Sequence, residues 1–235
     1  HNQDWPVCIT VGSQAAHAAG VALAIRLKGE KRAVVCTMGD GATSKGDVYE
    51  AMNMAGLWQL PLVFVVVNNQ WAISMPRQQQ TACASLAQKA FAAGFGGEQV
   101  DGNDVIAVSH AVSMAVAGAR SGHGPRLIEA LTYRLADHTT SDDASRYRDD
   151  EAVSQHWQEE PLLRLRLYLT AANQWTKDDE EASQIELGGL VERAAETYLA
   201  RAPDIPEAMF DHLYSRLPVD LAAQRAALSN GGARD

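Results

Sequence analysis

The chain has 235 residues, 46% of them hydrophobic and 21% charged, with a formal net charge of -9; this fits a folded protein with a substantial core and excludes a fibrous or disordered chain. The acidic balance excludes broad binding to a nucleic-acid backbone, which needs a concentrated basic face, and the longest strongly apolar run, residues 60–67, is too short to cross a bilayer. Cys8, Cys36 and Cys83 are widely spaced with no CxxC pattern, so they read as reduced thiols filling the core of a protein from a reducing compartment.

The first six residues, His1-Asn-Gln-Asp-Trp-Pro, contain no start methionine and lead at once into an apolar segment, so part of the native polypeptide is expected upstream. Residues 14–28 are rich in alanine, with Val21, Ile25 and Lys28 at helical spacing and Gly29 placed to end the helix. Residues 33–38 form a short apolar run that stops at Gly39-Asp40-Gly41, the pattern of a buried strand followed by a turn. A helix is expected over Asp47 to Trp58, bounded by Asp47 and Pro61, and Pro61 to Asn69 is a β-branched run of the kind found in a central parallel strand. A second unit follows, with helices over 84–93 and 104–121 and a strand over 125–133. The alternation of strand and helix predicts an α/β fold, a doubly wound parallel sheet. Residues 137–150 are polar with nothing to bury, which predicts a mobile surface loop. Beyond them, helical stretches over 162–171, 180–200 and 205–217 predict a C-terminal helical tail packed on the sheet or on a partner, and hence a division into an α/β domain over 1–150 and a helical extension over 151–235.

Asp40 and Asn69 end consecutive predicted parallel strands with one crossover helix between them. Ligand crevices of open α/β sheets lie outside such strand ends, so both side chains face one site. A carboxylate and a neutral amide oxygen suit Mg²⁺, a hard cation that takes few protein ligands and shares its other positions with phosphate oxygens and water. Gly41 and Ala42 leave room for a diphosphate to approach main-chain N–H groups. Gly-Asp-Gly alone is a common turn; followed by 26 residues and then Asn68-Asn69 after a buried strand, it has the spacing of the thiamine diphosphate motif. Gly39, Gly41 and Gly46 do not give the dinucleotide GxGxxG spacing, and the segment lacks the GK[ST] of a P-loop.

Five segments, beginning at Val11-Gly-Ser-Gln, Gly39-Asp-Gly-Ala-Thr-Ser, Pro61, Val100-Asp-Gly-Asn-Asp and Tyr133-Arg-Leu-Ala-Asp-His, resemble the E1 alpha subunit of pyruvate and branched-chain 2-oxoacid dehydrogenases, bacterial pyruvate dehydrogenases most of all. The likeness runs to Leu217-Pro-Val-Asp-Leu and implies a sheet of the thiamine diphosphate-binding type. It implies that Asp40, Asn69 and the main-chain carbonyl of Trp71 bind Mg²⁺, that Gly41 and Ala42 line the diphosphate, and that a strand over Ile9 to Val11 lies near the pyrimidine of the cofactor. His138 matches the active-site histidine of the family, which can bind the cofactor and move a proton near neutral pH. Ser13 and Gln14 match positions that hold a monovalent cation in branched-chain relatives, and Glu50 and Asn53 resemble a subunit-contact segment.

The resemblance also implies partners: an E1 beta subunit in an α2β2 heterotetramer, carrying the glutamate that activates the cofactor, and an E2 dihydrolipoyl acyltransferase that takes the acyl group. It implies an oxidoreductase that decarboxylates a 2-oxoacid, pyruvate by preference and a branched-chain 2-oxoacid or acetoin otherwise, in the bacterial cytoplasm or, in a eukaryote, the mitochondrial matrix. A rival reading is a cofactor-free scaffold subunit of the same complex. Two departures stand out. The tyrosine-arginine pair that the family places upstream for the diphosphate has no counterpart, and Thr139 stands where mammalian relatives carry a regulatory phosphoserine. His17, His110 and His156 read as structural, and Trp58, Trp157 and Trp175 as packing residues.

Overall fold

A computed structural model describes residues 4–212 and 214–231. It divides into two compact units, the first ending at Gln174 and the second beginning at Trp175. The first unit is a mixed α/β structure around a four-stranded parallel sheet. Its strands are β1 (Val34–Gly39), β2 (Leu62–Asn68), β5 (Gly96–Asp101) and β6 (Arg126–Leu131), in the order β1-β2-β6-β5, and a two-stranded hairpin of β3 (Trp71–Ala72) and β4 (Met75–Pro76) follows β2.

Helix α1 (Ser13–Leu27) is built on small residues: Ala15, Ala18, Ala19 and Ala22 are buried against α2 (Gly46–Leu57) and the strands. It ends at Gly29, with the N–H of Glu30 donating to the carbonyl of Ile25 and that of Gly29 to the carbonyl of Arg26, a paired hydrogen-bond closure that satisfies two terminal carbonyls. Strand β2 is buried on both sides, which explains its unbroken apolar sequence. Leu62, Phe64 and Val66 join the cluster of α1 and α2, while Val63 and Val65 join a second cluster with Ala115 and Ala119 of α5 (Val105–Arg120). Asp104 caps α5 by accepting from the N–H groups of Ile106 and Ala107.

Several expectations need correction. The helix expected over 84–93 is a 3₁₀ turn over Leu86–Gln88 and a single helical turn, α4 (Lys89–Ala92); another short turn, α3 (Arg77–Gln80), follows the hairpin. Strand β5, with Gly-Gly-Glu-Gln-Val-Asp, has no apolar run and lies at the sheet edge, so alternation does not reveal it. Residues 9–12 form a bend and turn where a strand was expected. Residues 137–150 are a mostly exposed surface loop, as expected, with a 3₁₀ turn over Ala144–Arg146; Ala144 is buried, so the loop does have something to bury. Cys8 is exposed and Cys83 half-buried, leaving Cys36 as the buried thiol, and Trp157 is 54% exposed.

Helices α6 (Asp150–His156) and α7 (Pro161–Ala171) belong to the first unit. The second unit contains α8 (Lys177–Leu199), opened by a capping box between Thr176 and Asp179, and α9 (Val219–Gly231). Where a helix was expected over 205–217 there is a 3₁₀ turn over Pro206–Phe210; Leu213 of that stretch lies outside the described residues, as do residues 1–3 and 232–235.

Candidate functional site

The parallel register puts the strand ends along one edge of the sheet. Gly39 of β1 pairs with Val67 of β2, and Asn68 pairs with Leu131 of β6, so Asp40 and Asn69 emerge next to each other from adjacent strands. Asp40 opens the 3₁₀ turn Asp40–Ser44 and is 1% exposed, while Asn69 is half-buried. The Oδ1 atom of Asn69 accepts the N–H of Trp71 at 3.1 Å, fixing the amide where the chain enters the hairpin. Gln70 (φ 71°) and Ile73 (φ 54°) adopt left-handed backbone there, an uncommon conformation for any residue but glycine and least favoured by a β-branched one.

The hairpin folds back over the start of the turn. A Cβ on Gly41 would lie 2.6 Å from the Cβ of Ala72, so glycine is needed for this approach. Gln80 of α3 donates from Nε2 to Oδ2 of Asp40 at 2.8 Å. Beneath, Lys89 is 3% exposed and donates from Nζ to the carbonyl of Thr43 at 2.7 Å, with the ring of Tyr49 at 5.0 Å. Among the described residues there is no group of three or more His, Cys, Asp or Glu side chains that could hold a metal. The donors gathered here are one carboxylate, amide oxygens and main-chain carbonyls, a set that suits a hard cation with few protein ligands and disfavours zinc.

His138 is exposed on the loop after β6, and its N–H donates to Oδ2 of Asp142 at 2.8 Å. Tyr147 donates to the same carboxylate, and Arg134 donates to the Tyr147 hydroxyl at 2.6 Å. Hydrogen bonds from Tyr147 and the His138 N–H hold the Asp142 carboxyl below the usual carboxylate range. Burial, and then the hydrogen bond to Asp142, push the Tyr147 hydroxyl up. The loop is tied to the hairpin, since Arg134 donates to the carbonyl of Ile73 at 3.0 Å and the Tyr147 and Trp71 rings are 5.7 Å apart. Asp40, Gly41, Ala42, Asn69 and Trp71 therefore form one neighbourhood, with the His138 loop fastened to it.

Ile9 (97% exposed) and Val11 (58%) stand on the N-terminal turn without cover. Ser13 donates to the carbonyl of Thr10, and Gln14 to that of Thr37. His156 stacks on Tyr133 at 3.9 Å, a packing role. Sequence reasoning missed Gln80, Tyr147 and Lys89. Tyr147 lay in a segment quoted for its resemblance, and nothing in Arg77-Gln-Gln-Gln distinguishes the last glutamine.

Parallel strands that deliver a buried carboxylate and an amide at neighbouring carboxyl ends define an α/β protein whose candidate site lies at that edge of the sheet. The model of the dehydrogenase E1 component family matches residues 5–206, and the chain belongs to that family. It is 42% identical over 224 residues to a Mycobacterium tuberculosis protein named 3-methyl-2-oxobutanoate dehydrogenase subunit alpha, covering 95% of this chain and 61% of the relative. It is 39% identical over 221 residues to the pyruvate dehydrogenase E1 component subunit alpha of Bacillus cereus, covering 92% and 58%. The chain thus spans about three-fifths of the length of these curated relatives.

Proposed function

We propose that this chain is the alpha subunit of a thiamine diphosphate-dependent E1, with a doubly wound sheet of the thiamine diphosphate-binding type. Together with a beta subunit in an α2β2 heterotetramer, it decarboxylates a 2-oxoacid and passes the acyl group to the lipoyl group of an E2 dihydrolipoyl acyltransferase. The observation that carries the reading is the buried carboxylate of Asp40 beside Asn69 at adjacent strand ends, in a chain matched by the E1 family over residues 5–206. The bacterial relatives make the cytoplasm the expected compartment, and among the described residues no helix is long and apolar enough to cross a membrane.

Bound thiamine diphosphate supplies the carbanion and the electron sink that 2-oxoacid decarboxylation requires. The residues of this chain hold it in place. Asp40 would contribute charge to Mg²⁺, the Asn69 amide and the Trp71 main-chain carbonyl would contribute neutral oxygens, and Gly41 and Ala42 would line the diphosphate. Ile9 and Val11 offer apolar surface to the pyrimidine. His138 would donate to cofactor or substrate oxygens and carry a proton during acyl handover, a task for which an imidazole, both donor and acceptor, is suited. The Asp142–Tyr147–Arg134 chain keeps its loop in place. The catalytic glutamate belongs to the beta subunit.

Two substrates have support. The loop and tail resemble bacterial pyruvate dehydrogenases, whereas the relative with 42% identity is named for 3-methyl-2-oxobutanoate. Calorimetry of the chain with its beta partner, thiamine diphosphate and Mg²⁺ tests the site: the wild type is expected to bind and Asp40→Ala to lose most of the affinity. No binding by the wild type would leave the scaffold reading standing, and undiminished binding by Asp40→Ala would overturn the assignment of Asp40 to the site. Turnover of pyruvate against 3-methyl-2-oxobutanoate, with a lipoyl domain as acceptor, then decides the substrate.

A further inference from the structure

Asp40 is 1% exposed, and a carboxylate so placed needs partners for both oxygens. Gln80 provides one, donating from Nε2 to Oδ2 of Asp40 at 2.8 Å and to the carbonyl of Met75 at 3.2 Å. Both partners are acceptors, so the amide nitrogen must face them and its orientation is fixed. The other end of the amide, Oε1, is consequently turned away, and it is buried without a hydrogen-bond partner. It lies 3.9 Å from where a Cβ on Gly41 would be, beside the glycine against which the Ala72 methyl packs. A buried amide oxygen left unpartnered at the edge of a cation site points to a donor that arrives with the ion.

We propose that Gln80 is a positioning residue for the cation: its amide nitrogen holds one oxygen of Asp40, leaving the other for the ion, and its amide oxygen accepts a hydrogen bond from a water of the hydrated ion. The inference rests on the reading of Asp40 as a Mg²⁺ ligand. Mg²⁺ gives up its water reluctantly and usually keeps several, so its hydration shell supplies the missing donor. A neutral amide is suited to the place because it can donate to the carboxylate and accept from the water at once, whereas carboxylate and ammonium groups each do only one.

The test titrates Mn²⁺, a spectroscopically visible hard cation, into the complex of this chain with its beta subunit and thiamine diphosphate, followed by electron paramagnetic resonance. Gln80→Met removes donor and acceptor at similar volume and is expected to weaken Mn²⁺ binding about tenfold or more, the scale of a lost outer-shell partner. Gln80→Glu keeps the acceptor oxygen but loses the donor to Asp40, so it is expected to weaken binding about threefold, less than Gln80→Met. Unchanged binding in Gln80→Met, or equal weakening in both variants, overturns the inference and leaves Gln80 as an anchor of α3. If Gln80→Met does not fold, Gln80→Glu decides by itself, a tenfold loss being the contrary result. Failure of the wild type to bind Mn²⁺ overturns the cofactor reading and this inference with it; binding by the wild type without the variant difference overturns this inference alone.

Discussion

Glu129 has 0% exposure in the middle of β6 and accepts two hydrogen bonds, from Nδ2 of Asn68 at 2.7 Å and from the N–H of Ala87 at 2.9 Å. One carboxylate thus joins the end of β2 to the turn that precedes α4. The Oδ1 atom of Asn68 in turn accepts from the main-chain N–H of Gln70 at 3.2 Å, so the chain of contacts reaches the hairpin that carries Trp71. Glu129→Ala leaves a buried amide and a buried N–H without acceptors, and each such group costs about 1–3 kcal/mol. Urea unfolding of the variant is expected to show a loss of about 2–5 kcal/mol; a loss under about 1 kcal/mol would mean that water reaches both donors. Neither the role of Glu129 nor that of Gln80 could be read from the sequence, because each depends on partners far along the chain brought close by the fold. Asp40 and Asn69 could be read, since each follows its own strand and the crossover between them fixes the spacing.

At the level of elements, β2 and α5 announce themselves by pattern, one as a continuous apolar run and the other by its valine spacing and Asp104 cap. Strand β5 does not, because its place is secured by backbone approach. A Cβ on Gly97 would overlap the carbonyl oxygen of Ala87, so the chain around Leu86–Gln88 can lie on this strand only while residue 97 lacks a side chain. Gly97→Ala must push backbone apart, and overpacking of this kind costs about 1–3 kcal/mol. Its thermal midpoint is expected to fall by several degrees, whereas Gly20→Ala, at a helical position where a Cβ meets nothing within 4 Å, is expected to leave the midpoint unchanged or raise it. Equal midpoints for the two variants would refute the account of β5. The loop over 137–150 lies at the surface, as its polar sequence predicts; what the sequence did not reveal is that its polar groups bind one another and that Tyr147 packs on Trp71 of the hairpin.

Considered as a whole, the chain carries apolar surface that it does not bury itself. Trp5 is 63% exposed, Val7 100%, Ile9 97% and Val11 58%, an alternating apolar segment directly before α1. Exposed apolar runs of this kind mark interaction surfaces, and a cofactor site shared with a beta subunit would cover the segment. Two thiols make this measurable. Cys8 lies within the segment and is exposed, and a hydrogen bond from the Ser13 hydroxyl lowers its pKa, whereas burial pushes the Cys36 thiol up to about 11. The thiolate is the reactive form, so near pH 7.5 iodoacetamide is expected to modify Cys8 of the isolated chain well before Cys36, as read by mass spectrometry of the peptides. Assembly with the beta subunit is expected to slow the labelling of Cys8 about tenfold or more while leaving Cys36 as slow as before, since protection by burial acts on access as well as on the thiolate fraction. Labelling of Cys8 at the same rate in the assembled complex would show that the segment stays open to solvent, and would place Ile9 and Val11 outside the shared site.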